Sequence, residues 1–192
     1  MTLSTLDATT ALVVIDLQKA VAALQAAHPI AEVAANAARL ADAFRARGLP
    51  VVLVRATGVA PGRTERSFSR PGAPRPPADA ADLLPELNQR DTDHEILKQT
   101  WGAFVRTGLD EHLKGLGVTQ VVVVGVATSF GVESTARQAY EHGYHVTLAT
   151  DAMTDFSAEA HENSVVRIFP ALGETGTTDE VLELVEKIPA TA

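Results

Sequence analysis

The sequence of 192 residues contains no cysteine. This absence excludes disulfide bonds, zinc or iron–sulfur sites built on cysteine, and catalysis by a thiol nucleophile. Long hydrophobic runs are missing too, since no apolar stretch approaches the roughly 20 residues that cross a bilayer. The first ten residues lack both the basic and the apolar region of a signal peptide. We therefore expect a cytoplasmic protein with no membrane partner.

The sequence also has fewer basic than acidic residues. Lysine and arginine number 16 against 24 acidic residues, so the net charge is −8 at pH 7. Because a phosphate backbone needs a basic face, this balance excludes nucleic acid as a partner. The six histidines show no metal-ligand spacing, and the glycines within residues 125–137 lack a nucleotide-binding spacing. We expect no metal and no cofactor.

No segment has the composition of a linker between two domains. Apolar residues make up 46% of the chain and charged residues 21%, which is the balance of an ordinary folded protein. We therefore expect residues 1–192 to form a single domain.

Short apolar runs rich in β-branched residues predict the strands. Four are clear, at residues 11–16, 50–56, 120–127 and 144–152, and a shorter one covers residues 94–99. The four clear runs are apolar on both faces, as a parallel sheet covered by helices requires.

Helical periodicity fills much of the sequence between these runs. Residues 33–44 place apolar side chains on one face, and Gly48 follows as a terminator. Further helices are expected over residues 108–117, with Thr107 as N-cap, and over residues 132–143. Two more are expected near the C-terminus, over residues 158–169 with Ser157 as N-cap, and after a capping box formed by Thr177 and Glu180. Alternating strands and helices of this kind predict a doubly wound α/β sheet.

One segment breaks this rhythm. Residues 57–93 have no sustained periodicity and are rich in proline and arginine. A loop this long in a compact domain covers a site, packs against a partner subunit or makes a surface excursion. The sequence leaves the lid, the oligomer contact and the solvated loop open.

Polar residues at the carboxyl ends of strands are the best candidates for a site, because ligands of open α/β sheets bind there. Asp16 ends the first run, where an aspartate is either a helix cap or a catalytic group. Lys98 ends the short run, where a lysine alone is more often a solvated charge. The turn within residues 125–137 is the third place, because its helix N-terminus offers N–H groups to an anion or oxyanion.

The order and spacing of several motifs then identify a family. The first run ends V-V-I-D-L-Q, W-G-A-F follows Lys98, G-V-A-T precedes the turn, T-A-R-Q-A-Y-E-H-G-Y follows it, and T-D-A-M stands at the next strand end. In this order the motifs resemble the isochorismatase-like, or cysteine hydrolase, family. The resemblance implies a mainly parallel, six-stranded sheet in an α/β/α sandwich, and a homodimer or homotetramer.

The resemblance also implies a catalytic arrangement. In the family, the residues that match Asp16 and Lys98 form a triad with a cysteine whose thiolate attacks a carbonyl. A cis peptide bond matching the one between Val126 and Ala127 helps to shape the oxyanion site. Gly131 stands at the cysteine position, so the thiol route is closed to this chain.

The isochorismatases within the family also lack this cysteine. In them the aspartate is a general acid that protonates a vinyl ether, after which water captures the cation. Their turn carries an aromatic residue and a histidine where this chain reads A-T-S, so their substrate is not carried over. With Gly131, the chain resembles a subset of the family that has glycine in place of the cysteine.

We therefore predict an isochorismatase-family hydrolase of a small organic molecule that works without a thiol. Asp16 is the expected general acid or base, Lys98 is its electrostatic partner, and Gly131 leaves room for substrate or water. The expected substrate contacts are Gln18, Trp101, Phe104 and Ser129, with Arg63 or Arg66 for a substrate carboxylate.

Two alternatives remain. The first is a catalytically silent member that binds a metabolite or serves in an assembly. Retention of both Asp16 and Lys98 counts against it, because a buried charged pair is costly to keep without a use. The second is an amidase that uses Ser129 or another surrogate nucleophile. Ser129 would need a shifted geometry, because it lies outside a G-x-S-x-G turn.

Overall fold

A six-stranded sheet organises the computed structural model of the protein, which describes residues 3–22, 24–60, 62–65 and 77–189. The strands are β1 (Thr10–Ile15), β2 (Val51–Ala56), β3 (His94–Lys98), β4 (Gln120–Val126), β5 (His145–Thr154) and β6 (Glu174–Gly176). All neighbours are parallel, in the order β3-β2-β1-β4-β5-β6. This arrangement confirms the predicted doubly wound, six-stranded sheet.

Helices cover both faces of the sheet. They are α1 (Lys19–Ala22), α2 (Ile30–Ala46), α3 (Leu109–Gly115), α4 (Glu133–Glu141), α5 (Ala158–Asn163) and α6 (Thr178–Val185). Single π-helical turns lie at Thr128–Val132 and Ser164–Ile168, and 3-10 turns lie at Pro85–Leu87 and Phe169–Ala171. Within the described ranges, no helix is both long enough and apolar enough to cross a bilayer.

Strand β1 explains why the apolar runs have no polar face. Leu12 and Val14 pack in one core with α2 and α6, whereas Val13 and Ile15 pack in the other with α3 and α4. All four side chains are fully buried, because successive strand residues point to opposite faces of a covered sheet. Each face therefore has its own hydrophobic core, and the three layers form the predicted α/β/α sandwich.

The strand order places a crevice between β1 and β4. From β1 the chain runs outward through β2 and β3, then returns to the centre and runs outward the other way from β4 to β6. Open α/β sheets bind ligands at such a switch point, outside the carboxyl ends of the strands. Gly125 lets β4 approach β1 closely here, since a Cβ atom built on it would lie 2.0 Å from the Ile15 carbonyl oxygen.

Capping residues in the sequence predicted where two helices begin. The side chain of Ser157 caps α5, and Thr177 forms a capping box with Glu180 at the start of α6, so both predictions are confirmed. The predicted N-cap of α3 is wrong by one residue. Gly108 precedes the helix with a left-handed φ of 76°, and Thr107 lies one position earlier.

The described part of the long segment is not all loop. Residues 77–93 include the 3-10 turn Pro85–Leu87, and Leu87 is buried in the core beside α2. Arg66 and the rest of residues 66–76 lie outside the described residues. The lid and the oligomer contact therefore stay predictions.

Candidate active site

An ion pair joins the ends of two strands beside the switch point. Asp16 directly follows β1, and Lys98 is the last residue of β3. Because β2 separates these strands, the long lysine side chain reaches across its end. Lys98 Nζ lies 2.8 Å from Asp16 Oδ2, and the lysine side chain is only 1% exposed. Each buried charge is therefore balanced by the other.

The backbone and a carbonyl group hold this pair in position. Asp16 has a positive φ of 50°, a conformation that a short polar side chain tolerates better than a bulky one. Its N–H still donates to the Val54 carbonyl of β2 at 3.0 Å. Lys98 Nζ also donates to the Trp101 carbonyl. Both partners are thus fixed by main-chain groups from the neighbouring segments.

The second oxygen of Asp16 is unsatisfied. Oδ1 is buried and has no hydrogen-bond partner among the described residues, and the nearby Ala56 N–H donates to Gln18 Oε1 instead. Burial raises the pKa of Asp16 to about 6, against smaller lowering effects of the charge and hydrogen bond of Lys98 and of the nearby Ala56 N–H. Near neutral pH the carboxyl group therefore has access to both protonation states, as a proton-transfer group requires.

Gly131 lies against the same pair, in the π-helical turn Thr128–Val132. A Cβ atom built on Gly131 would lie 3.2 Å from Lys98 Nζ, 3.3 Å from Asp16 Oδ2 and 2.9 Å from Ile15 Cγ2. The structure therefore brings together the three residues that the sequence singled out as a catalytic group. At this position even a methyl group would crowd the ion pair.

The turn that carries Gly131 is tied to its surroundings. The peptide bond between Val126 and Ala127, at the end of β4, is cis. Thr135 of α4 is fully buried, and its hydroxyl donates to the Gly131 carbonyl at 2.7 Å. The same hydroxyl accepts from the Ala103 N–H at 3.1 Å. Thr135 therefore joins the turn to the segment that follows Lys98.

A cavity of about 280 Å³ contains this site. Its polar side chains include Asp16, Gln18, Lys98 and Thr100. The rest of its lining is apolar or glycine, namely Ala20, Val21, Ala56, Gly58, Val59, Trp101, Val126, Ala127, Phe130, Gly131 and Phe156. A cavity of this size and lining suits a small organic molecule.

Two of the predicted substrate contacts border the cavity. The indole of Trp101 meets the ring of Phe130 edge to face, with ring centroids 4.8 Å apart. Gln18 also lines the cavity, but its amide is engaged with β2. It donates to the Ala56 carbonyl at 3.2 Å and accepts from the Ala56 N–H at 2.8 Å. Gln18 therefore fixes the end of β2, and this engagement accounts for its polar groups.

Two other predicted contacts lie outside the cavity lining. Phe104 is buried against His142, with stacked rings whose centroids are 5.1 Å apart. Ser129 donates to Asp155 Oδ2 through its hydroxyl at 2.8 Å and its N–H at 2.7 Å. The structure places both residues outside this lining, because packing holds Phe104 in the core and Asp155 holds Ser129.

Several apolar side chains of the cavity were not predicted from the sequence, Phe130, Phe156 and Val59 among them. Phe130 lies in the glycine turn, Phe156 follows the end of β5, and Val59 follows the end of β2. All three come after the carboxyl ends of strands, which is the signal that points to them. Of the arginines predicted to bind a carboxylate, Arg63 is exposed and outside the lining, and Arg66 is not among the described residues.

A larger cavity, of about 530 Å³, lies beside the amino ends of β2 and β3. Its arginine is already neutralised, since Arg45 Nη2 lies 2.7 Å from Asp93 Oδ2. His94 and His112 stack there with ring centroids 3.5 Å apart. In the part of the chain that the structure describes, no group of three or more histidines and carboxylates could hold a metal ion. The cavity at Asp16 is therefore the better candidate for chemistry.

Comparison with known proteins gives one consistent result. Residues 10–180 match the isochorismatase domain family. The chain is 39% identical to the uncharacterized isochorismatase family protein YwoC of Bacillus subtilis over 92% of this chain and 94% of that protein. It is 40% identical to the uncharacterized isochorismatase family protein YecD of Escherichia coli O157:H7, over 91% and 95%. The solved structure of an isochorismatase family protein from Burkholderia thailandensis is similar, with a TM-score of 0.88 at 37% identity, over 95% of this chain and 98% of that one.

Proposed function

This chain belongs to the isochorismatase family, and we propose that it hydrolyses a small organic molecule without using a thiol. The observation that carries the proposal is the buried pair of Asp16 and Lys98 against Gly131, within a small and mostly apolar cavity. In this proposal Asp16 transfers the proton and Lys98 is its electrostatic partner. Gly131, which the resemblance matches to the cysteine of many relatives, leaves room for the substrate or water.

Asp16 supports proton transfer in either direction. As an acid, it donates a proton to the substrate, water adds to the resulting cation, and the proton that the water loses returns to Asp16. As a base, it takes a proton from water while the water oxygen attacks the substrate, and passes that proton to the leaving group. Because the pKa of Asp16 is raised to about 6, the acid route weakens and the base route strengthens as pH rises through about 6.

Lys98 has two effects on this chemistry. Its ammonium group lies 2.8 Å from Asp16 Oδ2 and stabilises the carboxylate each time the proton leaves. The same positive charge stabilises negative charge that develops on a substrate oxygen within its reach. The Trp101 carbonyl holds the ammonium group in place for both tasks.

The two alternatives have less support. Ser129 is engaged by Asp155 and lies outside the cavity lining, which disfavours a serine amidase. A catalytically silent protein would keep Asp16 and Lys98 buried without a use, although desolvating two charges costs several kcal/mol per ion. That cost favours an active site over a silent one.

A turnover screen with neutral and anionic vinyl ethers, esters and amides tests the proposal, with products identified by mass spectrometry. Asp16→Asn keeps a residue that tolerates the left-handed backbone but transfers no proton. For any substrate that the wild type hydrolyses, we expect kcat/KM to fall by about 10²–10⁴.

The control variant is Asp79→Asn, which changes an exposed carboxylate that pairs with Lys19. It should leave turnover unchanged. Unaltered turnover in Asp16→Asn would contradict the role of Asp16. Absence of turnover across the whole screen would contradict the proposed hydrolase activity and would favour a metabolite-binding member of the family.

A further inference from the structure

We propose that the cavity at Asp16 selects an uncharged substrate with a flat apolar group, such as an aromatic ring, over an anionic one. The inference rests on the proposed function only in calling the bound molecule a substrate. The binding preference itself follows from two features of the described lining, a concentration of aromatic side chains and the lack of a free cation.

Aromatic side chains are concentrated around this cavity. The chain has one tryptophan, two tyrosines and six phenylalanines, and Trp101, Phe130 and Phe156 line the same cavity. Trp101 and Phe156 are 50% and 48% exposed, and Val59 of the same lining is 62% exposed. Large apolar side chains left open around a cavity indicate a ligand surface, because a bound apolar group removes them from water.

The described lining has no free positive charge for a carboxylate. Among the described residues that line the cavity, Lys98 is the only lysine or arginine. Its side chain is almost fully buried, and its ammonium group is engaged by Asp16 Oδ2 and the Trp101 carbonyl. Asp16, when ionised, repels an anion. An incoming carboxylate would therefore lose hydration and would have to compete with Asp16 and the Trp101 carbonyl for the ammonium group of Lys98.

Helix α4 holds the backbone next to Trp101 in place. A Cβ atom built on Gly102 would lie 2.2 Å from Gln138 Oε1, so the backbone next to Trp101 packs directly on the Gln138 amide. That amide oxygen also accepts from the Phe104 N–H at 3.1 Å. Because Gln138 fixes the backbone just after Trp101, binding a flat group against the indole requires little further ordering of this segment.

Trp101 provides the readout, since it is the single tryptophan of the chain. Tryptophan emission of the full-length protein is followed during titration with benzamide or with benzoate. The two probes have the same shape and differ in charge. At about pH 8, above the pKa of Asp16, we expect benzamide to bind at least about tenfold more tightly than benzoate. Equal or tighter binding of benzoate, or binding of neither probe, would overturn the inference.

Two variants localise the binding. Phe156→Ala removes one of the three aromatic side chains that line the cavity and should weaken benzamide binding by about tenfold. Val166→Ala changes an exposed apolar side chain outside the cavity and should leave both affinities unchanged. A loss of benzamide affinity in Val166→Ala with no loss in Phe156→Ala would place the binding elsewhere and overturn the inference.

The inference and the proposed function fail separately. Benzamide binding with full turnover in Asp16→Asn would contradict the proton-transfer role and leave the binding preference intact. A preference for benzoate in an enzyme that Asp16→Asn inactivates would contradict the binding preference and leave the hydrolase intact.

Discussion

Two opposing effects act on the carboxyl group of Asp16. Burial disfavours its charged form, whereas Lys98 Nζ at 2.8 Å favours it. Burial prevails, and the pKa of Asp16 rises from an ordinary value of 3.8 to about 6. A proton-transfer group works best when its pKa lies near the working pH, so the same burial that costs stability prepares the residue for chemistry.

The raised pKa predicts a pH-dependent stability. The folded state binds the Asp16 proton more tightly than the unfolded state, so this contribution is fully present below about pH 3.8 and is lost as pH rises through about 6. The free energy of unfolding of the wild type, minus that of Asp16→Asn, should fall by about 2 to 3 kcal/mol between about pH 4 and about pH 8. Chemical denaturation at several pH values measures it.

The matched control for this measurement is Asp79→Asn. The pKa of Asp79 is lowered by its exposed partner Lys19, so its protonation differs between folded and unfolded states only in more acidic solution. Its stability curve should run parallel to that of the wild type over the same range. A parallel curve for Asp16→Asn as well would show that the carboxyl group of Asp16 is not perturbed by burial.

A side chain at position 131 is predicted to destabilise the protein. In Gly131→Ala the added methyl group would lie 2.9 Å from Ile15 Cγ2 and press on the ion pair. Because Ile15 is fully buried, we expect a loss of about 1–3 kcal/mol in unfolding free energy, together with lower turnover. Thermal or chemical denaturation gives the first quantity. Gly115→Ala, at a helical position with open space, should be neutral or stabilising, by up to about 1 kcal/mol.

Within the elements, Gly125 controls the contact between β4 and β1. A Cβ atom there would lie 2.0 Å from the Ile15 carbonyl oxygen, and the residue has a φ of 117°. Gly125→Ala should therefore destabilise the protein by more than about 2 kcal/mol, because both strands are central and neither can move freely. Gly117 also has a positive φ, of 70°, but a Cβ atom there would meet open space. Gly117→Ala should therefore lower the free energy of unfolding by only about 1–2 kcal/mol. Equal losses in chemical denaturation would contradict the close approach.

Helix α4 connects the glycine turn with the segment after β3 through Thr135. Thr135→Val keeps the shape of the side chain but leaves the Gly131 carbonyl and the Ala103 N–H without this partner. We expect a loss of about 1–3 kcal/mol in the free energy of unfolding. Thr135→Ser retains the hydroxyl and should lose less. A valine variant as stable as the wild type would show that the two bonds do not hold the turn.

Elements could be predicted from the sequence where their signal is local. Strands β1, β2, β4 and β5 are mostly buried and apolar, so they were recognisable as clear runs, and β3 was recognisable as a shorter one. The caps at Ser157 and Thr177 depend on a few neighbouring residues, which is why they were predicted correctly. Strand β6 (Glu174–Gly176) has three residues and no large apolar side chain, so only its pairing with β5 reveals it. The N-cap of α3 is the left-handed Gly108 and not Thr107, although the Thr107 hydroxyl accepts from the Leu109 N–H at 3.3 Å.

At the scale of the whole molecule, the site depends on topology. Asp16, Lys98 and Gly131 come from distant parts of the chain and meet because parallel strands end at one edge of the sheet. This rule, with the family resemblance, was enough to select them from the sequence. Side-chain partners across the fold were not predictable in the same way, since Ser129 turns to Asp155 only once β4 and β5 lie side by side. The homodimer or homotetramer stays a prediction.

The dependence of kcat/KM on pH, for a substrate found in the screen, tests the account most directly. The wild-type profile should have an inflection near pH 6, from the raised pKa of Asp16. The Asp16→Asn profile should lie about 10²–10⁴ lower and lack that inflection. Benzamide binding reported by Trp101 would verify that the variant keeps its cavity. An Asp16→Asn variant that keeps the wild-type kcat/KM and the same inflection would contradict the account.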